Sequence, residues 1–136
     1  MIVVYPVLFT KTDDEKDTYL VEIPDLDGVT EGYGLSDAMR MARDYIGGYC
    51  MNKPETDYPA QSALSDIDVR SGRFSDAGLS FASLIDVDID VYRRRMNTKA
   101  VRKNVSLPAW LSEEADKENI NVSRVLQEAL MDKLHL

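Results

Sequence analysis

The stretch Lys99-Ala-Val-Arg-Lys-Asn-Val-Ser-Leu-Pro-Ala-Trp-Leu111 changes its period at Pro108. Before the proline the residues alternate as in a strand. Val101, Val105 and Leu107 share one face, Arg102, Asn104 and Ser106 share the other, and Lys103 interrupts the apolar set. Pro108, with its fixed φ and no N–H to satisfy, suits a helix start and predicts a helix through AWLSEEADKENI with Trp110, Leu111 and Ala115 inward. Asn121 is placed to cap a second helix, whose Val122, Val125, Leu126, Ala129, Leu130 and Leu134 fall on a 3.6-residue stripe.

A strand and two helices over residues 99–136 are too small to bury a sufficient core alone. Two copies remove the difficulty, with the strands paired antiparallel and four helices covering one face of the ribbon. The shared core is then Val105, Leu107, Trp110, Leu111, Val125, Leu126, Ala129 and Leu130. The other ribbon face points outward and carries Arg102, Asn104 and Ser106 twice. A two-stranded ribbon fits the DNA major groove, where Arg bonds guanine O6 and N7, Asn bonds adenine N6 and N7, and Ser contacts either. The amides of Val122, Ser123 and Arg124 at a helix N-terminus suit a phosphate oxygen. Lys99 and the basic run Arg93 to Arg95 add attraction that is independent of sequence.

Charge separates this tail from the rest. Residues 1–92 hold seven Lys/Arg and eighteen Asp/Glu, a balance of −11, whereas residues 93–136 hold nine and six, a balance of +3. Two modules with partners of opposite sign are implied, 1–92 and 99–136, joined by a basic linker at 93–98.

The front module opens on Ile2 to Phe9, almost wholly apolar and so a strand buried on both faces, although Pro6 suggests an edge or a bulge. Thr18 to Ile23 completes a hairpin, Pro24 to Gly28 turns, and Val29 to Tyr33 gives a short third strand. Ser36 reads as the cap of a helix whose Leu35, Ala38, Ala42, Tyr45, Ile46 and Tyr49 make one apolar face, and which Gly47-Gly48 should weaken or end. Residues 52–77 read as a long loop, and Leu79 to Val87 as a fourth strand. The expected class is therefore α+β, a small antiparallel sheet in the order β-β-β-α-β with one covering helix, followed by the β-α-α tail.

Several functions are excluded or weakened. One cysteine and one histidine give too few ligands for structural zinc, and no apolar run is long enough to span a membrane. No phosphate-cradling glycine loop and no Ser/His/Asp set is present, so catalysis and cofactors are not expected. The one enzymatic reading is a magnesium nuclease, if the front strand continues far enough to place Asp86, Asp88 and Asp90 on one face. A single cysteine fits a reducing cytoplasm.

Residues 99–136 resemble a ribbon-helix-helix DNA-binding domain. Arg102-Lys-Asn-Val-Ser-Leu-Pro-Ala-Trp-Leu111 with Ser123-Arg-Val-Leu-Gln-Glu-Ala-Leu130 is similar to the C-terminus of HicB-type antitoxins. Tyr5-Pro6, Ile23-Pro-Asp-Leu-Asp-Gly28 and Ser36-Asp-Ala-Met-Arg-Met-Ala42 resemble the front half of the same family. The resemblance implies a partial ribonuclease-H-like front domain that masks a small basic mRNA-cleaving toxin, HicA. It also implies a tail that binds double-stranded operator DNA and represses its own operon. It places base reading on Arg102, Asn104 and Ser106 and the phosphate clamp at Val122 to Arg124. Asp25, Asp27, Glu31 and Asp37 are the acids nearest the family-like turn and so the candidate toxin contacts. The chain departs from the family in the acidic Gly28-Val-Thr-Glu-Gly32 and in Lys103. A homodimer is expected, with a free edge of the front sheet able to pair further into a tetramer. The competing reading is a solitary ribbon-helix-helix regulator whose front domain senses another ligand or protein.

Overall fold

The structure, a computed structural model, describes residues 1–136 and divides into two units, Met1–Thr98 and Lys99–Leu136. In unit 1, β1 (Ile2–Thr12), β2 (Thr18–Ile23), β3 (Gly28–Tyr33) and β4 (Gly78–Asp88) form one antiparallel sheet in the order β3-β2-β1-β4. Helix α1 (Leu35–Cys50) covers one face. Val3, Tyr5, Val7 and Phe9 of β1, with Val21 and Ile23 of β2 and Ile85 and Val87 of β4, pack under Ala38, Ala42, Ile46 and Cys50. On β3 the residues under the helix are small: a Cβ at Gly32 would lie 2.5 Å from the Ala38 amide nitrogen, so glycine sets how closely helix and sheet approach.

The other face is covered by 52–77. These residues contain four short 3-10 turns and no strand or longer helix. Val4 donates to the Gln61 side chain (2.7 Å), the Arg73 amide donates to Glu22 (2.9 Å), and Gly72 packs against Leu8. This explains why β1 is apolar on both faces. It also corrects the expectation for Pro6, which lies in a central strand, paired through Leu84 to β4. Val4 turns its N–H away from β4, so the even residues of β1 face the β2 side. The β1–β2 register reaches only Leu8, and the proline's missing donor costs no ladder bond.

Three further expectations are corrected. Helix α1 starts after Gly34, whose φ of 89° is open to glycine, so Ser36 sits in the first turn and is not the cap. Gly47 and Gly48 do not end it. Gly47 is held against the Tyr92 ring, where a Cβ would come within 2.5 Å of Cδ2. The chain after β4 is helical: α2 (Ile89–Met96) is capped by the Asp88 carboxylate, which accepts from the Asp90 and Val91 amides (3.1 and 3.2 Å). Residues 93–96, expected as part of a linker, are its last turn. Tyr92 donates to Asp44 (2.8 Å) and Arg93 to the Met51 carbonyl (3.0 Å), tying α2 to α1.

Unit 2 contains α3 (Ala109–Lys117) and α4 (Val122–Lys133). The strand expected over 99–107 is not formed: residues 97–108 carry neither helix nor strand. A strand exists only when a neighbour takes its backbone groups, and every other strand of this chain belongs to the sheet of unit 1. Pro108 precedes α3, and the Asn121 side chain accepts from the Arg124 amide (3.1 Å), as a helix cap should.

Candidate DNA-reading and partner-binding surfaces

In unit 2 the expected base readers Arg102, Asn104 and Ser106 all lie exposed, as does Lys99. A groove is lined by Ala100 to Lys103 on one side and by Ser123, Leu126, Gln127 and Leu130 of α4 on the other. Arg102 and Ser123 therefore share one site whose lining includes Val101, Leu126 and Leu130. At the start of α4 the Arg124 amide is already taken by Asn121, and the Arg124 guanidinium pairs with Glu128 (3.1 Å). The amides of Val122 and Ser123 are the first of the helix, where N–H groups have no partner within the helix itself.

The residues expected as a dimer core lie outside. Trp110 is 66% exposed, and Val105, Leu107, Leu111, Val125, Ala129 and Leu130 are exposed as well, as is Val101 beside them. Only Ala115 and Leu126 of α3 and α4 are even half-buried. Apolar side chains of this size, placed on one stripe and left in water, mark a face that another surface covers.

In unit 1 the four acids near the turn have separate fates. Asp25 is half-buried and accepts from the Ser62 amide and hydroxyl (2.8 and 2.6 Å), fixing the 52–77 segment to the turn. Asp27, in a left-handed conformation at φ 49°, pairs with Arg73 (2.8 Å). Asp37 accepts from the Tyr33 amide (2.9 Å) and from Arg40 (2.8 Å). These two donors, the amide first, hold its carboxyl below the usual carboxylate range. Glu31 is exposed on β3. Three of the four acids that sequence reasoning singled out thus have partners within the chain. What it missed is their hydrogen-bond partners at Ser62 and Arg73, which are too distant in the chain to be paired by spacing.

The three acids of the nuclease reading do not line up on one strand face either. The strand stops at Asp88, which caps α2. Asp90 lies in that helix and bonds the Met1 amine and Arg93, and Asp86 lies 4.0 Å from Arg43. Cys50 is buried, and burial pushes its thiol above the ordinary range. No helix is long and apolar enough to cross a membrane.

Residues 5–130, spanning both units, match the family described as "HicB_like antitoxin of bacterial toxin-antitoxin system". The chain belongs to the HicB-like antitoxin family. Among solved structures it is similar to a toxin-antitoxin complex from Streptococcus pneumoniae, at 27% identity over 98% of this chain and 99% of that one, with a TM-score of 0.58. A likeness to the Burkholderia pseudomallei antitoxin HicB is weaker, at 20% identity over 98% and 97% of the two chains and a TM-score of 0.47. No curated protein matches the sequence. The HicB-like chain is thus an antitoxin of a toxin-antitoxin system, built as a mixed α/β protein with a four-stranded antiparallel sheet and four helices.

Proposed function

We propose that this HicB-like antitoxin neutralises a small basic mRNA-cleaving toxin with its acidic unit 1, and represses its own operon by sequence-specific operator binding through unit 2. The observation that carries the reading is the unburied apolar stripe of α3 and α4 in a family member whose matched region spans both units. A second copy that covers this stripe brings two 99–107 segments together as the antiparallel ribbon of a ribbon-helix-helix dimer. Their outward faces then carry Arg102, Asn104 and Ser106 twice. Val122 and Ser123 offer amides to a phosphate, and Lys99 adds charge.

Masking needs no chemistry. A toxin that grips RNA presents positive charge, and a unit with eighteen acids against ten bases attracts and occupies such a surface. The structural neighbour that is itself part of a toxin-antitoxin complex supports a toxin partner for this chain. The test is affinity capture of the tagged full chain from its own cell at moderate salt, with mass spectrometry of the eluate. A single small basic protein at fixed stoichiometry is expected. Its absence would favour a solitary regulator whose front unit binds something else.

A further inference from the structure

The sheet face turned away from α1 is covered unevenly. Gly28 and Gly32 of β3 lie against Tyr45 and Ala38 of the helix. Alternation therefore turns Val29, Glu31 and Tyr33 to the other face, beside Leu20 and Glu22 of β2. Over β1 that face is closed: Pro6, Leu8 and Thr10 are buried, and Gly72 of the 52–77 segment packs on Leu8. The cover stops at Phe74. This residue, itself half-buried, joins Leu20, Val29, Thr30 and Glu31 in a shallow depression. Around it Val29 is 41% and Tyr33 55% exposed, so the β2–β3 end of the sheet keeps an apolar patch that nothing in unit 1 covers.

Glu31 stands in the middle of this patch. Asp25, Asp27 and Asp37 are each engaged by Ser62, Arg73 or the Tyr33 amide, and the Glu31 carboxylate is the one left over. Arg73, next to Phe74, is committed to Glu22 (3.5 Å) and Asp27 (2.8 Å). We propose that the patch is the seat of a basic protein, which lays an apolar side chain against Val29, Tyr33 and Phe74 and a lysine or arginine on Glu31. The inference rests on the toxin reading and says where on unit 1 the toxin sits.

The chemistry of the patch selects the occupant. An apolar surface without a base would bury Glu31 as an unpaired charge, which is costly. A base turns the same carboxylate into the acceptor of a charge-assisted hydrogen bond. A second copy brings the same excess of acids, and nucleic acid brings phosphates, so both are repelled. An exposed ion pair alone contributes little, and Val29 and Tyr33 supply the contact area that excludes water from it. A base with which the toxin grips RNA is then the group that Glu31 holds, and seating and masking become one event.

The test uses the basic protein recovered with the tagged full chain, produced separately and titrated against variants of that chain. Glu31→Lys should weaken binding about a hundredfold, and Tyr33→Ala, which shortens an exposed side chain, about tenfold. Asp57→Lys makes the same change of net charge at an exposed residue of the Glu55–Asp57 turn, outside the patch, and should weaken binding less than about threefold. All three variants should keep the wild-type urea transition, because none of these side chains is buried. Equal losses from Glu31→Lys and Asp57→Lys would mean that the partner reads net charge alone, and would overturn the proposal. Wild-type affinity in both Glu31→Lys and Tyr33→Ala would sink the seat and leave the toxin reading standing. If no basic protein is recovered with the wild-type chain, the toxin reading falls and the seat falls with it.

Discussion

The two units of this chain solve the problem of burying apolar surface in opposite ways. Unit 1 closes its core within one chain: Tyr5, Phe9, Ile23, Ile46, Ile85 and Ile89 are all fully buried, under a helix on one face, with the 52–77 segment on the other. Unit 2 has helices of comparable quality, with a proline start and an asparagine cap, yet leaves Trp110, Val125 and Leu130 in water. A good cap fixes where a helix begins and says nothing about whether its apolar stripe has a partner. The comparison predicts that the first unit holds its stability on dilution, whereas the second gains stability with concentration, as a fold completed by a second copy does.

The sharpest way to break that comparison is a core deletion. Phe9→Ala should cost unit 1 about 3–5 kcal/mol, because the ring is fully buried and stacked on Phe81. Trp110 is the one tryptophan and lies in unit 2, so its fluorescence follows the tail. In urea titrations, Phe9→Ala should move the sheet's circular-dichroism transition and leave the Trp110 transition in place. The Trp110 transition should shift with protein concentration, and a transition that stayed fixed over a hundredfold dilution would mean that the tail's core is complete in one chain.

Gly32→Ala comes next. The added Cβ meets α1 backbone that cannot rotate away, so about 1–3 kcal/mol should be lost from unit 1 in the same titration. In unit 2, Asn104→Ala should leave stability alone and cost about 1–3 kcal/mol of operator affinity, relaxing one base position in a binding-site selection. Lys99→Ala should instead weaken all sequences alike and lower the salt slope of binding by roughly one.

The elements legible in the sequence were those whose signals are local. The β1–β2 hairpin, the apolar face of α1, the β4 strand and the Asn121 cap all follow from period and capping chemistry within a few residues. Most of the misreadings share one cause, a partner far away in the chain or outside it, and one turns on a cap two and three residues away. Gly47 reads as a helix breaker until Tyr92 fills the space above it. Asp86-Val-Asp-Ile-Asp90 alternates like a strand, but Asp88 spends its carboxylate on two amides and starts α2. The alternation at 99–107 is plain, but no strand of this chain is available to pair with it. Asp25 looks like a surface turn acid until Ser62 is found bonded to both its oxygens.

The smallest expected effect concerns pH. Asp14, bonded by the Thr18 hydroxyl and amide, and Asp37, bonded by the Tyr33 amide and Arg40, both titrate below their ordinary value of 3.8 in the folded chain. Their contribution is complete above that value and is lost as pH falls through the lowered one. Thermal melts of unit 1 should therefore drop below about pH 4, and Asp37→Asn should flatten part of the fall.

The strand order also sets a schedule for synthesis. β1 lies between β2, its neighbour in sequence, and β4, whose Gly78 pairs with Thr12 sixty-six residues earlier. At 5–20 residues per second a ribosome needs about 3–13 s to deliver that partner. Until then one side of the most apolar strand in the protein waits without a neighbour. The nascent hairpin thus carries an unpaired apolar edge until β4 is made, the kind of surface from which aggregation starts.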